Sequence, residues 1–449
     1  MVLACVVAIA ASSQAVAVEM DFSGMIRFRP EFRNNDDFNS NADDYVDAVS
    51  QRMLLNLKAT IDPKLEVGVG LQDTRVWGQT CNACTSVNDY DPDGGPGDAM
   101  GGETGVARNP LASDSGTDLY ELWFLAKDFA GLPMNLKMGR QQLAYGDQRL
   151  IGNLGWKDQA RTFDAFKTEW LVGDHKIDLF WSKINETEEV NLRGLTPKDF
   201  QTSKKKDENL YGVYAVFALG GDPWKNALDL YYLGWEEGNT ELNVQTYGFR
   251  LNGGVAGIDY TGEFVWQGGD WAKGVAQEAN ALAVKAGYTI ASFWKTRIGA
   301  EYDFGSGDDD PANGAHKTFV FPFHTNHAFY GLQDFFSWGN MRAIGASLKT
   351  VPVDGPVTVQ VDYWKFELAE AHDQWLTVVG TAPRVHVNAN PSDSTDAGQE
   401  WDLTVTYGYS PNLKLSGGYS LFFPGTAAKE RSGGSDNAEW GYLMTLLTF

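Results

Sequence analysis

The chain has 449 residues, a formal net charge of −23, 49 glycines and an aromatic content of 13%. That length accommodates two or three ordinary domains or one large barrel, and the glycine and aromatic content suits many short strands and turns better than helices. The acidic balance argues against nucleic acid as a partner, though it leaves an anionic substrate open where the acids are concentrated in loops.

Val2 to Ala11 is the one long unbroken apolar run, and Ala15-Val16-Ala17 after it forms an A-x-A cleavage signal. Residues 1–17 therefore read as a secretory signal peptide and residues 18–449 as the mature chain. After Ala17 no stretch reaches the roughly 18 apolar residues that a spanning helix needs. A membrane role then requires a closed barrel, the other structure that satisfies its own backbone in lipid. The mature chain keeps Cys81 and Cys84. An exported chain meets an oxidising compartment, so this pair reads as a short-loop disulfide. No second C-x-x-C or nearby His supports zinc, and no His follows Cys84 as haem attachment would need.

The first strand is expected near residue 22. Phe22, Gly24, Ile26 and Phe28 share one of its faces; Arg27, Arg29 and Arg33 share the other, with Glu31 between them. Four charges on one side of a strand are costly in lipid, so they should point into a lumen. A second strand near 51 carries Lys58 on its polar face, while the direction of Arg52 is left open. In the third, Leu65, Val67, Val69 and Leu71 alternate with Glu66, Gly68, Gly70 and Gln72. Further strands are expected to begin near 119, 136, 162, 176, 209, 227, 244, 257, 279, 295 and 343. Val357, Val359, Val361 and Tyr363 then alternate with Thr358, Gln360 and Asp362. Trp401, Leu403, Val405 and Tyr407 alternate with Asp402, Thr404, Thr406 and Gly408, and the last two strands begin near 413 and 439.

Alternation alone fits a soluble sandwich as well as a membrane barrel, and the connection lengths decide between them. Links are tight at Asp62-Pro63, Ala130 to Pro133, Gly173-Asp174, Gly220 to Pro223, Gly253-Gly254, Asp354-Gly355 and Ser410 to Asn412. They are long and polar at 34–50, 73–118, 143–161, 185–208, 303–342, 367–399 and 423–438. About 430 mature residues over about eighteen strands leave about 24 per strand and link, against a spanning strand of about 9–11. The expected fold is all-β: a single transmembrane antiparallel β-barrel of about eighteen strands, with short periplasmic turns and long extracellular loops. The chain ends in Phe449, with Leu443 and Leu447 on the same face, an end that barrel-assembly machinery reads.

Arginine on a lumen face suits an anion path, because its guanidinium stays charged and takes carboxylates in a bidentate manner. The other role open to Arg27 and Arg29 is structural pairing with lumen acids such as Glu66 and Asp402. A second cluster lies in 136–170, where Arg140, Arg149 and Arg161 recur with Asp147, Asp158 and Asp164. Here GRQQLAYGDQRLIGNLGW, followed by RTFDAF, resembles the alginate-export outer-membrane channel family, as does FPFHTNHAFYGLQDFF at 321–336. The likeness extends more weakly over most of the mature chain. It implies a single-chain barrel of about eighteen strands whose constriction is lined by arginines with a few acids, and outward passage of an anionic uronate polymer. Arg140 in the GRQ string and Arg161 and Asp164 in the RTFD string are the constriction residues that the resemblance carries over. Arg149 belongs to the same cluster, and Arg27 and Arg29 join it on strand parity.

Asp89, Asp91 and Asp93, followed by Gly94, have the spacing of a calcium loop's first oxygens, but Met100 stands where the twelfth-position acid belongs. Asp98 or Glu103 would have to complete a looser Ca2+ site, and Asp308, Asp309 and Asp310 are a weaker case of the same idea. No cofactor is otherwise required. His324 and His327 have no metal-site spacing around them and read as loop packing. The six histidines offer no nucleophile constellation for a barrel-embedded hydrolase, and no repeats or linkers suggest a surface-displayed binding protein. The chain thus reads as a channel of the bacterial outer membrane and not an enzyme. Its expected partners are outer-membrane lipid and lipopolysaccharide, an anionic polysaccharide or small anions, the assembly machinery and a periplasmic secretion partner. A general or small-anion porin is the alternative.

Overall fold

The structure, a computed structural model, describes residues 18–41, 44–77, 116–185, 207–220, 225–238, 240–310, 312, 314–325, 327–377 and 392–449. Residues 1–17, expected to be a signal peptide, Cys81, Cys84 and the acidic stretch with Asp89, Asp91 and Asp93 lie outside the described residues.

Strands alternate with turns in the order expected. They are β1 (Glu19–Asn34), β2 (Val46–Asp62), β3 (Leu65–Val76), β4 (Gly116–Ala126), β5 (Met134–Gln141), β6 (Phe163–Val172), β7 (His175–Asn185), β8 (Glu208–Gly220), β9 (Asn226–Glu237), β10 (Leu242–Val255), β11 (Ile258–Ala272), β12 (Val275–Gln277), β13 (Ala279–Ile290), β14 (Thr296–Gly305), β15 (Ala315–His316), β16 (Met341–Thr350), β17 (Val357–Glu367), β18 (Asp396–Gly408), β19 (Leu413–Pro424) and β20 (Ala438–Thr448). Eighteen are long and form the wall; β12 and β15 are short and pair with each other in parallel. Every wall strand is antiparallel to its chain neighbour, and β1 also pairs with β20, so the sheet closes without a free edge. One expected turn is displaced: Gly253 and Gly254 remain inside β10, and the chain reverses at Ala256-Gly257.

The wall is apolar outside. Phe22, Leu122, Phe166, Leu179, Trp181, Tyr247, Trp266, Leu348, Trp401 and Leu403 are all substantially exposed. A soluble protein would not leave such a belt in water, whereas the lipid face of a barrel needs it. Phe449 closes the seam: its carbonyl accepts from Gly24 N at 2.8 Å, and its ring lies 5.9 Å from that of Phe22.

The hydrophobic core lies inside the barrel. Residues 142–162 and 317–340, which lead away from the ends of β5 and β15, turn inward. Leu143, Leu150, Ile151, Phe319, Phe321, Phe323, Phe335, Phe336 and Trp338 are buried there against Phe163, Phe366 and Phe422 of the wall. The two segments are stitched together by Gly152 N to Phe323 O at 2.8 Å and Thr325 N to Gln148 O at 2.9 Å. Gly152 permits this approach, because a Cβ there would sit 2.2 Å from Thr325 Oγ1. Residues 303–342 are therefore not simply an extracellular loop; most of their aromatic stretch is a plug.

Candidate functional site

On β1, Asp21, Ser23, Arg27, Arg29, Glu31 and Arg33 alternate with the outward Phe22, Ile26 and Phe28. They meet the inward residues of β2 in register: Asp21 opposite Lys58, Ser23 opposite Asn56, Arg27 opposite Arg52 and Arg29 opposite Ser50. Arg52 and Lys58 are six residues apart and so share one face, which removes the ambiguity left for Arg52. All four arginines, Arg27, Arg29, Arg33 and Arg52, are at most 5% exposed; the inward loop covers Arg27, Arg29 and Arg52, and Arg33 lies over the Trp440 ring of β20.

The partners come from that loop. Arg27 donates to Trp156 O at 2.6 Å and Gly155 O at 3.2 Å, and it pairs with the Asp158 carboxylate. Arg29 donates to Trp156 O at 2.7 Å, lies 3.5 Å from Asp158 and 3.3 Å from Glu31, and stacks over the Trp156 ring at 4.5 Å. Arg52 donates to Gly155 O at 3.2 Å and Lys157 O at 3.3 Å. The acids expected as partners go elsewhere: Glu66 binds Lys127 at 2.5 Å, and buried Asp402 lies beside Glu400 on β18.

Across the lumen a second network anchors the same loop. Arg149 pairs with Glu301, lies 3.2 Å from Asp303, donates to Tyr330 Oη at 2.5 Å and covers the Phe329 ring at 3.9 Å. Burial opposes its charge, but Asp303, Tyr330 and Glu301 beside it more than reverse this and hold its pKa above the ordinary value. Asp147 pairs with Arg250 and lies 2.5 Å from Lys285. Burial pushes its carboxyl up, yet Lys285 and Arg250 outweigh that and keep it below the usual carboxylate range. Arg161 spans the two plug segments, donating to Gly152 O at 3.4 Å, His324 O at 3.1 Å and Pro322 O at 3.2 Å. Its burial pulls the guanidinium down to about 9.

Arg140 and Asp164 are placed differently, and their reading as constriction residues is corrected. Across the ladder Arg140 lies opposite Leu122 and Asp164, so all three share a face, and Leu122 is 46% exposed on the outer wall. The residues on either side of Asp164, Phe163 and Ala165, are buried in the lumen core. Arg140 thus points outward, 3.5 Å from Asp164, one residue before the end of β5. Arg140→Ala is expected to leave single-channel conductance and ion preference at their wild-type values, whereas Arg27→Ala, which removes a lumen cation, shifts ion preference toward cations. A zero-current potential measured in a salt gradient separates the two; a changed ion preference in Arg140→Ala would contradict the outward placement.

The half of the lumen near the short turns is open. Its inward side chains are partly exposed, among them Lys58 beside Asp21 at 2.9 Å, Lys176 beside Glu169 at 2.8 Å, and Arg297 beside Asp259 at 2.6 Å. A cavity of about 270 Å³ opens there against β1–β4, lined by Asp21, Ser23, Asn56, Lys58, Glu121 and Trp123. Lys137 Nζ lies over the Trp123 ring, 3.9 Å from its centroid.

Sequence reasoning left the direction of Arg52 open and missed Arg250 and Lys285 as parts of the lumen network, although each sits at an inward parity that could have been counted. His327 packs as expected of a loop residue: it lies 2.9 Å from Asp334, and its ring is stacked 4.0 Å from that of Trp156. Among the described residues no group of three His, Cys, Asp or Glu side chains is placed to hold a metal. Asp309 binds Lys317 at 2.5 Å, and Asp308 accepts from Asp310 N at 3.1 Å, so the 308–310 acids are taken up locally.

A closed eighteen-stranded wall with an apolar exterior and a charged, partly filled lumen defines an outer-membrane β-barrel channel. The alginate export family model matches residues 18–441, and the chain belongs to that family. No curated protein matches the chain by sequence. Among solved structures it is similar to Pseudomonas aeruginosa OccK2 (OpdF), with a TM-score of 0.59 and 10% identity over 96% of this chain and 98% of that one. Acinetobacter baumannii OccAB2 gives 0.58 and 10% over 96% and 98%, and P. aeruginosa OccK11 (OpdR) gives 0.57 and 11% over 96% of both chains. At these identities the likeness is one of fold. The protein is a channel of the bacterial outer membrane, in contact with its lipids and with the solutes it passes.

Proposed function

We propose that this channel passes an anionic polymer of the alginate-like polyuronate class outward, along the β1–β2 wall. The observation that carries this reading is the group of inward guanidiniums, Arg27, Arg29 and Arg52, satisfied by loop oxygens that are not part of the wall. Guanidinium presented to a lumen recognises carboxylates in a fixed geometry and keeps its charge at every physiological pH. The family membership supports the direction and the substrate class. Lipopolysaccharide would surround the outer rim, the assembly machinery would read the Phe449 end, and a periplasmic secretion partner would deliver the polymer to the open half of the lumen. Calcium at Asp89, Asp91 and Asp93, a Cys81–Cys84 disulfide and removal of residues 1–17 belong to the same reading.

A small-anion porin is the second reading, favoured by one observation: the plug fills the outer half of the lumen. Proteoliposomes loaded with hexamannuronate and with chloride discriminate between them. Export of a polymer predicts efflux of both; efflux of chloride alone would leave the small-anion porin.

A further inference from the structure

Arg27 and Arg52 face each other directly across the β1–β2 ladder, and Arg29 is the next inward residue. Like charges opposite one another on a sheet repel, so this wall needs acceptors brought to it. Glu31 of β1 lies 3.3 Å from Arg29 and Gln72 Oε1 of β3 accepts from Arg52 at 2.8 Å, and the loop segment 155–158 brings the rest. Gly155 O serves Arg27 and Arg52, Trp156 O serves Arg27 and Arg29, and Lys157 O serves Arg52. The Asp158 carboxylate takes Arg27, approaches Arg29 at 3.5 Å and accepts from Ser50 Oγ at 3.1 Å. One carboxylate flanked by neutral backbone oxygens, presented together by a turn and bend, is also the set of acceptors that a uronate residue offers with its carboxylate, hydroxyl and ring oxygens. The segment can leave without opening the wall, because it belongs to no ladder: β5 ends at Gln141 and β6 begins at Phe163.

We propose that Arg27, Arg29, Arg52 and Ser50 form a carboxylate-binding site for the transported polyanion, and that Asp158 is its internal occupant, displaced when a substrate carboxylate arrives. The inference rests on the polyanion reading above and specifies the site within it. An internal competitor lowers apparent affinity by the fraction of time it holds the site, so removing its charge strengthens binding without adding a contact.

The test is hexamannuronate block of single-channel current through the full chain in a planar bilayer. Asp158→Asn keeps the side-chain shape and removes the charge, and Asp158→Ser serves as a second variant. Block is expected to tighten roughly tenfold in both, the scale of one charge-assisted hydrogen bond exchanged between partners, and to weaken again when Arg27→Ala is added. Unchanged or weaker block in both Asp158 variants, with Arg27→Ala alone still weakening it, would overturn the internal-occupant role and leave the polyanion path standing. Loss of the folded, heat-modifiable barrel in both would make Asp158 structural and overturn it as well. Block indifferent to Arg27→Ala in the wild-type background would instead strike the polyanion reading itself.

Discussion

Arg149→Ala is expected to loosen the plug by about 3–5 kcal/mol while the barrel wall stays closed. The guanidinium is 1% exposed and compensates Glu301 and Asp303, of which Asp303 is fully buried on β14. Removing it leaves two carboxylates together in a dry site, and that penalty exceeds the loss of the contacts themselves. The Tyr330 hydrogen bond and the cover over Phe329 disappear at the same time. Because Arg149 lies in one plug segment and Tyr330 in the other, both should lose order together. Hydrogen exchange is the direct readout: amides of 143–154 and 319–336 should lose protection, while those of β13 and β14 keep theirs. Single-channel conductance should rise and become noisier. Wild-type protection in both segments would show that the aromatic packing alone retains the plug.

The second large effect tests which way the wall faces. Val405 is 38% exposed on the outer row of β18 with Trp401, Leu403 and Tyr407, while Thr404 points inward between Asp402 and Thr406. Val405→Arg should destabilise the barrel by about 2–4 kcal/mol if it lies near the bilayer midplane. Thr404→Arg, one residue away, meets an aqueous lumen and should cost well under half of that. Reversible urea unfolding in lipid vesicles gives both values. Equal penalties at the two positions would contradict the assignment of inside and outside.

Strand parity made much of this legible. Phe22 to Arg33 separates into lipid and lumen faces by counting alone, and Asp62-Pro63 or Gly173-Asp174 mark the short-turn end without any structural knowledge. Arg140 and Asp164 were misplaced because a family motif carries identity but no direction; the alternation Phe163, Asp164, Ala165, Phe166 already held the answer. The plug was illegible for another reason. Loop conformation is set by long-range packing, here Gly152 against Thr325 and Phe336 stacked 4.1 Å from Phe366 and 4.8 Å from Trp375. One local signal did exist: a stretch as aromatic as FVFPFHTNHAFYGLQDFFSW has no reason to stand in water, since a loop that apolar gains from being buried.

The central claim is that the lumen arginines of β1 and β2 recognise the carboxylates of a passing polyanion. It is tested most directly by single-channel recording of the reconstituted chain, with and without oligouronate, for the wild type and an Arg27→Ala/Arg29→Ala double variant. An anion-preferring current that oligouronate blocks reversibly, with both preference and block weakened in the double variant, is the predicted result. A steady, weakly selective current indifferent to the oligouronate and to both substitutions would contradict it and leave a general porin.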